Sequence, residues 1–296
     1  MGTPISTAEF ADHVFPSLRY LLIDTAYKEH ASLWPEIVNN ENTDLEYEDI
    51  GTEASFGLLA TKAQGGAITY DLPVAGSRKR FTNVTYALGF MITLEDQYFN
   101  LYRKMASYAK ALGQSARETK EINVWNSINV GDTSTTIANG EYLFSATHAL
   151  LRDSNTITNR QNAALGHSSL QQALSDLAVT KDHRGFFAHL VPQTLWVHPS
   201  NYLPACELLK SLGRSDTADR ADNVLLGMLT PRPSPYITTT TDWFIQCEEH
   251  MFSLFQHIPF IVDYGWDFKT KDYLVSVLEG YSYNPVDFYG WYQGFV

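Results

Sequence analysis

From Thr93 the spacing of apolar residues changes from two to between three and four, and it holds there through Ile128. Tyr98, Leu101, Tyr102, Met105, Tyr108, Ala109, Leu112, Ala116, Ile122 and Trp125 fall mostly at three- and four-residue steps. Arg103, Lys104, Lys110, Arg117 and Lys120 occupy other faces. Thr93-Leu94-Glu95-Asp96 makes a capping-box-like start, with acids in the first turn where the helix dipole favours them. Helical from 93 to 128, the segment is about 50 Å long at ~1.5 Å per residue. Gly113 weakens its middle by about 1 kcal/mol relative to alanine, so a bend is expected there.

What precedes this helix has little to hold it together. Residues 6–33 read as one or two amphipathic helices broken at Pro16, and an acidic, poorly periodic stretch follows to Glu53. So few apolar residues cannot build a core of their own, and 1–53 reads as an arm ordered against neighbours. Residues 54–92 alternate with period two in Ala67-Ile68-Thr69-Tyr70-Asp71-Leu72 and in Thr82-Asn83-Val84-Thr85-Tyr86-Ala87, between scattered glycines. The reading is a long two-stranded excursion with Gly76-Ser77-Arg78-Lys79-Arg80 at its tip. Such a hairpin is marginal alone in water and needs something to pack on.

After the helix, 129–160 is loop-rich, and helical patterns return at 169–181 and 202–211. Leu195-Trp196-Val197-His198 reads as a short buried strand, and 213–223 as polar and mobile. Strand patterns dominate from Pro235-Tyr236-Ile237-Thr238 through Trp243-Phe244-Ile245 and Phe260-Ile261-Val262 to the run 273–278.

Charge is uneven along the chain, whose net value is −12. Residues 1–53 carry eleven acids against Arg19 and Lys28, a net −9; 54–93 carry Lys62, Arg78, Lys79 and Arg80 against Asp71, a net +3. The basic trio and the acids Glu41, Asp44, Glu46, Glu48 and Asp49 are therefore candidate interface residues, pairing between copies of the chain or simply solvated. Overall acidity argues against direct nucleic-acid binding, which needs clustered Lys and Arg, although the wall of a DNA container gains from weak repulsion. Cys206 and Cys247 leave either one bridge or two lone thiols, and lone thiols suit a reducing cytosol. The start of the chain shows no basic-then-apolar signal pattern, and no apolar run approaches the ~18 residues of a membrane span.

The order of these features resembles the HK97-fold major capsid proteins of tailed double-stranded DNA phages. Local stretches are similar to the Mu-type branch: Leu143-Phe144-Ser145-Ala146-Thr147-His148, Leu195-Trp196-Val197-His198-Pro199, Ala205-Cys206-Glu207-Leu208-Leu209, Pro235-Tyr236-Ile237-Thr238 with Trp243, and Pro285-Val286-Asp287-Phe288-Tyr289-Gly290-Trp291-Tyr292. The resemblance implies an α+β fold with an N-terminal arm (1–53), an extended E-loop hairpin (54–92) and a peripheral domain built on a spine helix (93–128). An axial domain (129–245), returning peripheral strands (246–283) and a C-terminal tail (284–296) follow. It implies hexamers and pentamers of the chain in an icosahedral shell around double-stranded DNA, enclosed without sequence-specific binding. Portal, scaffold and decoration proteins are the implied partners, with assembly in the host cytoplasm and residence in the virion. Many relatives begin with a cleaved scaffolding region; this chain starts almost at the arm, which implies a separate scaffold or none. Some relatives cross-link a loop lysine to an asparagine, and Lys62 and Lys79 lie in the loop, but no partner asparagine or catalytic glutamate is identifiable.

No catalytic, cofactor or metal residues are assigned. Neither a dinucleotide-binding nor a P-loop nor a nucleophile-elbow motif occurs. Ser107-Tyr108-Ala109-Lys110 matches SxxK without its companion motif, and His250 and His257, beside Glu248 and Glu249, are spaced to lie on opposite faces of a strand. The rival readings are an encapsulin-like compartment of the same fold and, from another class, a cytosolic hydrolase with an unrecognised site.

Overall fold

The spine helix runs over Tyr102–Asn129 in a computed structural model that describes residues 27, 32–93, 95, 102–213 and 222–296. Leu94 and Asp96 of the expected cap, most of 6–33 and residues 214–221 lie outside the described residues. The helix has 28 residues, about 42 Å at ~1.5 Å each. Its apolar stripe is used twice. Ala109 and Leu112 pack on one sheet, whereas Val124, Trp125 and Ile128 enter the core that joins that sheet to a second. Tyr108 and Ile122, from the same periodic pattern, stay half exposed.

The first sheet has the order β1-β11-β12-β4, with strands Asn39–Asn42, Phe252–Trp266, Tyr273–Pro285 and Val84–Ile92. β1 runs parallel to β11; the other pairs are antiparallel. On β12, Tyr273, Val275 and Val277 turn toward the spine helix while Leu274 and Ser276 face away, the alternation of a sheet covered on one side. The second sheet has the order β7-β13-β10-β8-β9, with strands Arg160–Asn162, Trp291–Phe295, Trp243–Cys247, Pro192–Val197 and Thr230–Pro233. β10 is buried throughout because both its faces are covered. Phe244 enters the shared core, and Trp243 and Ile245 meet Leu170, Ala173, Leu177, Ala205 and Leu209 of the helices His167–Val179 and Tyr202–Lys210. Trp125 of the spine and Trp196 of β8 lock the two halves edge to face, centroids 5.2 Å apart. A small ladder, β5 (His148–Ala149) with β6 (Thr156–Ile157), completes this half. Both cysteines are free thiols.

Several sequence expectations are corrected. The excursion is a ribbon of β2 (Tyr47–Ala54) with β3 (Val74–Thr82), not of 67–72 with 82–87. β4 belongs to the first sheet. Pro235–Thr238 is no strand: Pro235 lacks an N–H, and Pro235 and Tyr236 form a turn just after β9. Residues 284–296 are no tail, since β13 lies between β7 and β10. Gly294 permits this, because a Cβ there would sit 2.0 Å from the Trp243 indole.

The arm is corrected too, as far as it is described. Glu121 of the spine accepts hydrogen bonds from the backbone N–H of Leu33 (2.6 Å) and Trp34 (3.1 Å), at the start of the single turn Trp34–Ile37. Burial pushes the Glu121 carboxyl up, and these two donors oppose that. Ile37 and Val38 then enter the shared core, and β1 joins β11. One residue earlier on the helix, buried Lys120 donates to Glu279 of β12 at 2.6 Å, its ammonium 4.2 Å above the Trp34 ring and 4.9 Å from that of Tyr281. The Tyr27 hydroxyl (3.3 Å) and Gln256 Nε2 (3.2 Å) donate to the same carboxylate. Burial lowers the Lys120 pKa and Glu279 partly restores it.

Breaking one partner of such a pair strands a buried charge. Lys120→Met should lower the unfolding free energy of the chain by about 3–5 kcal/mol in urea titration. Adding Glu279→Gln should recover a large part of that loss.

Candidate assembly surface

The β2–β3 ribbon has one face against the body and one outward. Inward, Phe81 is fully buried with Phe255 and Val286, Ile50 packs beside them, and the Lys79 ammonium donates to the carbonyl and hydroxyl of Thr136. Partial burial lowers the Lys79 pKa. Outward, the register sets Asp49 opposite Arg80 and Gly51 opposite Arg78. Arg80 grips both oxygens of Asp49, Nε at 2.8 Å and Nη2 at 2.7 Å, and its guanidinium lies 4.2 Å over the Tyr47 ring.

The basic trio expected at the tip is therefore mid-strand, with two of its members engaged within their own chain. Arg78 is exposed, and among the described residues none forms an ion pair with it. Of the candidate acids, Asp49 is taken by Arg80, and half-buried Glu48 accepts from the Thr43 hydroxyl. Glu41, Asp44 and Glu46 are exposed.

The actual tip is the loop 55–73, which contains no strand. Its base is fastened by one carboxylate: Asp71 accepts from Gly57 N (2.8 Å), Arg152 Nη1 (2.8 Å) and Arg152 Nη2 (3.1 Å), and Arg152 also reaches the Leu72 carbonyl. These donors hold the Asp71 carboxyl down at about 2. Beyond the clamp projects a finger turned at Ala63–Gly66, where Gly65 takes φ +77° and Gly66 N donates to Ala63 O. Leu59 is 100% exposed, Tyr70 88%, Leu58 86% and Ile68 63%. Lys62 is the one charge in 54–70. Burying a leucine is worth about 1.5–3 kcal/mol, so a fastened finger with a single charge that leaves two in water is a candidate contact surface. Sequence reading had passed over Leu58, Leu59 and the Asp71–Arg152 clamp. The available signal was a run of apolar and small residues around a double glycine with neither helical nor strand period.

Chemistry is sparse elsewhere. Among the described residues no group of three or more His, Cys, Asp or Glu is disposed to hold a metal. Burial pushes His250 down to about 4, and it lies just before β11 whereas His257 lies within it.

The long helix under a long antiparallel sheet, with a second helix-covered sheet and a projecting ribbon, is the HK97-type capsid fold. The capsid of the cyanophage P-SCSP1u is similar over 90% of this chain and 88% of that one, at 10% identity and TM-score 0.62. Microbacterium phage Oxtober96 gives 99% of both chains, 9% identity and TM-score 0.59. The virus-like particle from Pyrococcus furiosus gives 94% of this chain and 97% of that one, 10% identity and TM-score 0.55. No curated protein sequence matches. A family model described as phage capsid protein matches residues 78–293, and the chain belongs to that family. It is a structural protein of the phage virion, a component of the capsid shell and not an enzyme.

Because Arg78 forms no ion pair among the described residues whereas Arg80 does, Arg78→Glu should weaken assembly most at low salt and lower the melting temperature less than Arg80→Glu, Arg78 acting on Asp49 only through its charge. Arg80→Glu faces Asp49 with a like charge and should lower the melting temperature of the subunit. Light scattering across a salt series and thermal melting check the two.

Proposed function

We propose that this chain is the major head protein of a tailed phage, assembling as hexamers and pentamers into an icosahedral shell around double-stranded DNA. The observation that carries the reading is the finger. A ribbon anchored by Phe81 and Lys79 and clamped by Asp71–Arg152 holds Leu58, Leu59, Ile68 and Tyr70 in water, an arrangement that gains free energy only when another surface covers them. Closed symmetry multiplies one modest contact over every copy. Arg78, with Glu41, Asp44 and Glu46 on neighbouring copies, supplies the polar rim. Lys79, Arg80, Glu48 and Asp49 act indirectly by holding the ribbon straight. The net charge of −12 suits a lining that does not bind the packaged polymer. The motif order supports the Mu-type branch. A portal, a scaffold and decoration proteins are the further partners, with assembly in the host cytoplasm.

A second reading, an encapsulin-like compartment holding protein cargo, is favoured by the similarity to the virus-like particle from Pyrococcus furiosus. Electron microscopy of the purified protein should show closed shells, and trypsin should cut at Lys62 in free subunits but not in shells. A chain that stays monomeric at high concentration would refute assembly. Nuclease-protected DNA within phage-derived particles distinguishes a head from a protein compartment.

A further inference from the structure

Two buried histidines flank Phe288, and their surroundings call for different numbers of protons. His148 opens the two-residue strand β5 and is 0% exposed. Its ring lies flat on that of Phe288, with centroids 4.3 Å apart and an interplanar angle of 9°. Its Nδ1 is 3.1 Å from a Glu141 carboxylate oxygen, and its Nε2 is 3.0 Å from Asn159 Oδ1. His183, in the loop before β8, meets the same phenylalanine edge to face, centroids 6.1 Å apart. Its Nε2 is 2.6 Å from Asp287 Oδ2, while its Nδ1 is buried with no hydrogen-bond partner among the described residues.

The orientation of the Asn159 amide fixes what His148 must donate. Asn159 Nδ2 donates to the Leu143 carbonyl at 2.8 Å, and Oδ1 accepts from Ser145 N–H at 2.9 Å. Exchanging the two atoms would set carbonyl against carbonyl and N–H against N–H, so it is an oxygen that faces the ring. On the other side Glu141, its side chain 32% exposed, offers a carboxylate oxygen, again an acceptor. A neutral imidazole has one N–H and one bare nitrogen, so it satisfies one of these oxygens and turns a lone pair on the other. A ring protonated at both positions satisfies both, pairs its charge with Glu141 and lays a cation on the Phe288 face.

The remaining charged and titratable groups around Phe288 are engaged elsewhere. Asp287 is taken by His183, which Tyr289 flanks edge to face; Arg152 holds Asp71, and Lys181 holds Asp153. At His183 the count is reversed. One N–H at Nε2 serves Asp287, and a second proton on Nδ1 would be buried with nothing to receive it.

His148 also stands at the neck of the loop that clamps the finger. β5 and β6 are joined by two residue pairs, His148 with Ile157 and Ala149 with Thr156, too short a ladder to hold itself. Between them run residues 150–155, from which Arg152 reaches Asp71 and Leu72 while its N–H donates to the His183 carbonyl at 3.0 Å.

We infer that His148 is held as an imidazolium while His183 carries a single proton, and that the second proton on His148 keeps the Arg152 loop, and through it the finger, in place. The contribution is present while the ring is charged and is lost as rising pH discharges it, because one of its two oxygens then faces a bare nitrogen. The device belongs to the single chain and operates whether or not shells form.

NMR on the chain with isotope-labelled histidine ring nitrogens tests it. At a pH where the exposed ring of His189 has become neutral, His148 should show protons on both nitrogens and His183 on one. His148→Gln assigns the signal by its loss. Should that variant not fold, Glu141→Gln assigns it instead, since a glutamine can donate to Nδ1 and return the ring to one proton. As pH is raised until His148 discharges, the protection factor of the Gly57 amide, which is bonded to Asp71, should fall on the order of tenfold. A single proton on His148 at the first pH overturns the inference. Two protons there, with Gly57 protection unchanged through their loss, overturn its link to the finger.

Discussion

Lys120 and Glu121, neighbours near the middle of the spine helix, hold the molecule's three layers in one register. Lys120 turns to the sheet and pairs with Glu279; Glu121 turns to the arm and receives the N–H groups of Leu33 and Trp34. Both charges are buried, so each is tolerable only while its partner is in place. Remove that constraint and the arm has no fixed start, β1 no reason to lie beside β11, and the ribbon that follows no defined root.

Elsewhere in the body the layers are joined chiefly by apolar packing. Trp125 on Trp196 and Phe244 in the shared core bind the two sheets, and β13 threads through the second one over Gly294. Even the ribbon's charges are largely settled at home, by Asp49 with Arg80 and by Lys79 with Thr136. Against this packing the finger stands out, since it holds Leu58, Leu59, Ile68 and Tyr70 together in water. A protein built to stand alone would have guarded them. A shell subunit needs them open, and the Asp71–Arg152 clamp shows how the finger is kept in place without being covered.

The elements legible in the sequence were those whose pattern is local. The spine helix, the buried strand at Leu195–Val197 and the long β12 announce themselves by period, and the order of elements sufficed to place the fold. The ribbon misled because Ala67–Leu72 alternates more cleanly than Tyr47–Ala54, whose polar outward face reads as a solvated acidic arm. The clue lay in charge: an acid at 49 and a base at 80 can face each other only if 47–54 pairs with 74–82. The Lys120–Glu279 pair spans 159 residues and leaves no trace in spacing. Nor does the clamp, where an arginine beyond the helix fastens a loop before it. The candidate interface residues drawn from the sequence were all charged, whereas the finger of the same excursion exposes Leu58, Leu59, Ile68 and Tyr70.

Sedimentation velocity on a chain whose residues 58–70 are replaced by a short Gly-Ser turn tests the central claim most directly. The account predicts a folded monomer with the melting temperature of the parent and no large particles at any concentration where the parent assembles. Shells of normal size from the shortened chain would contradict it.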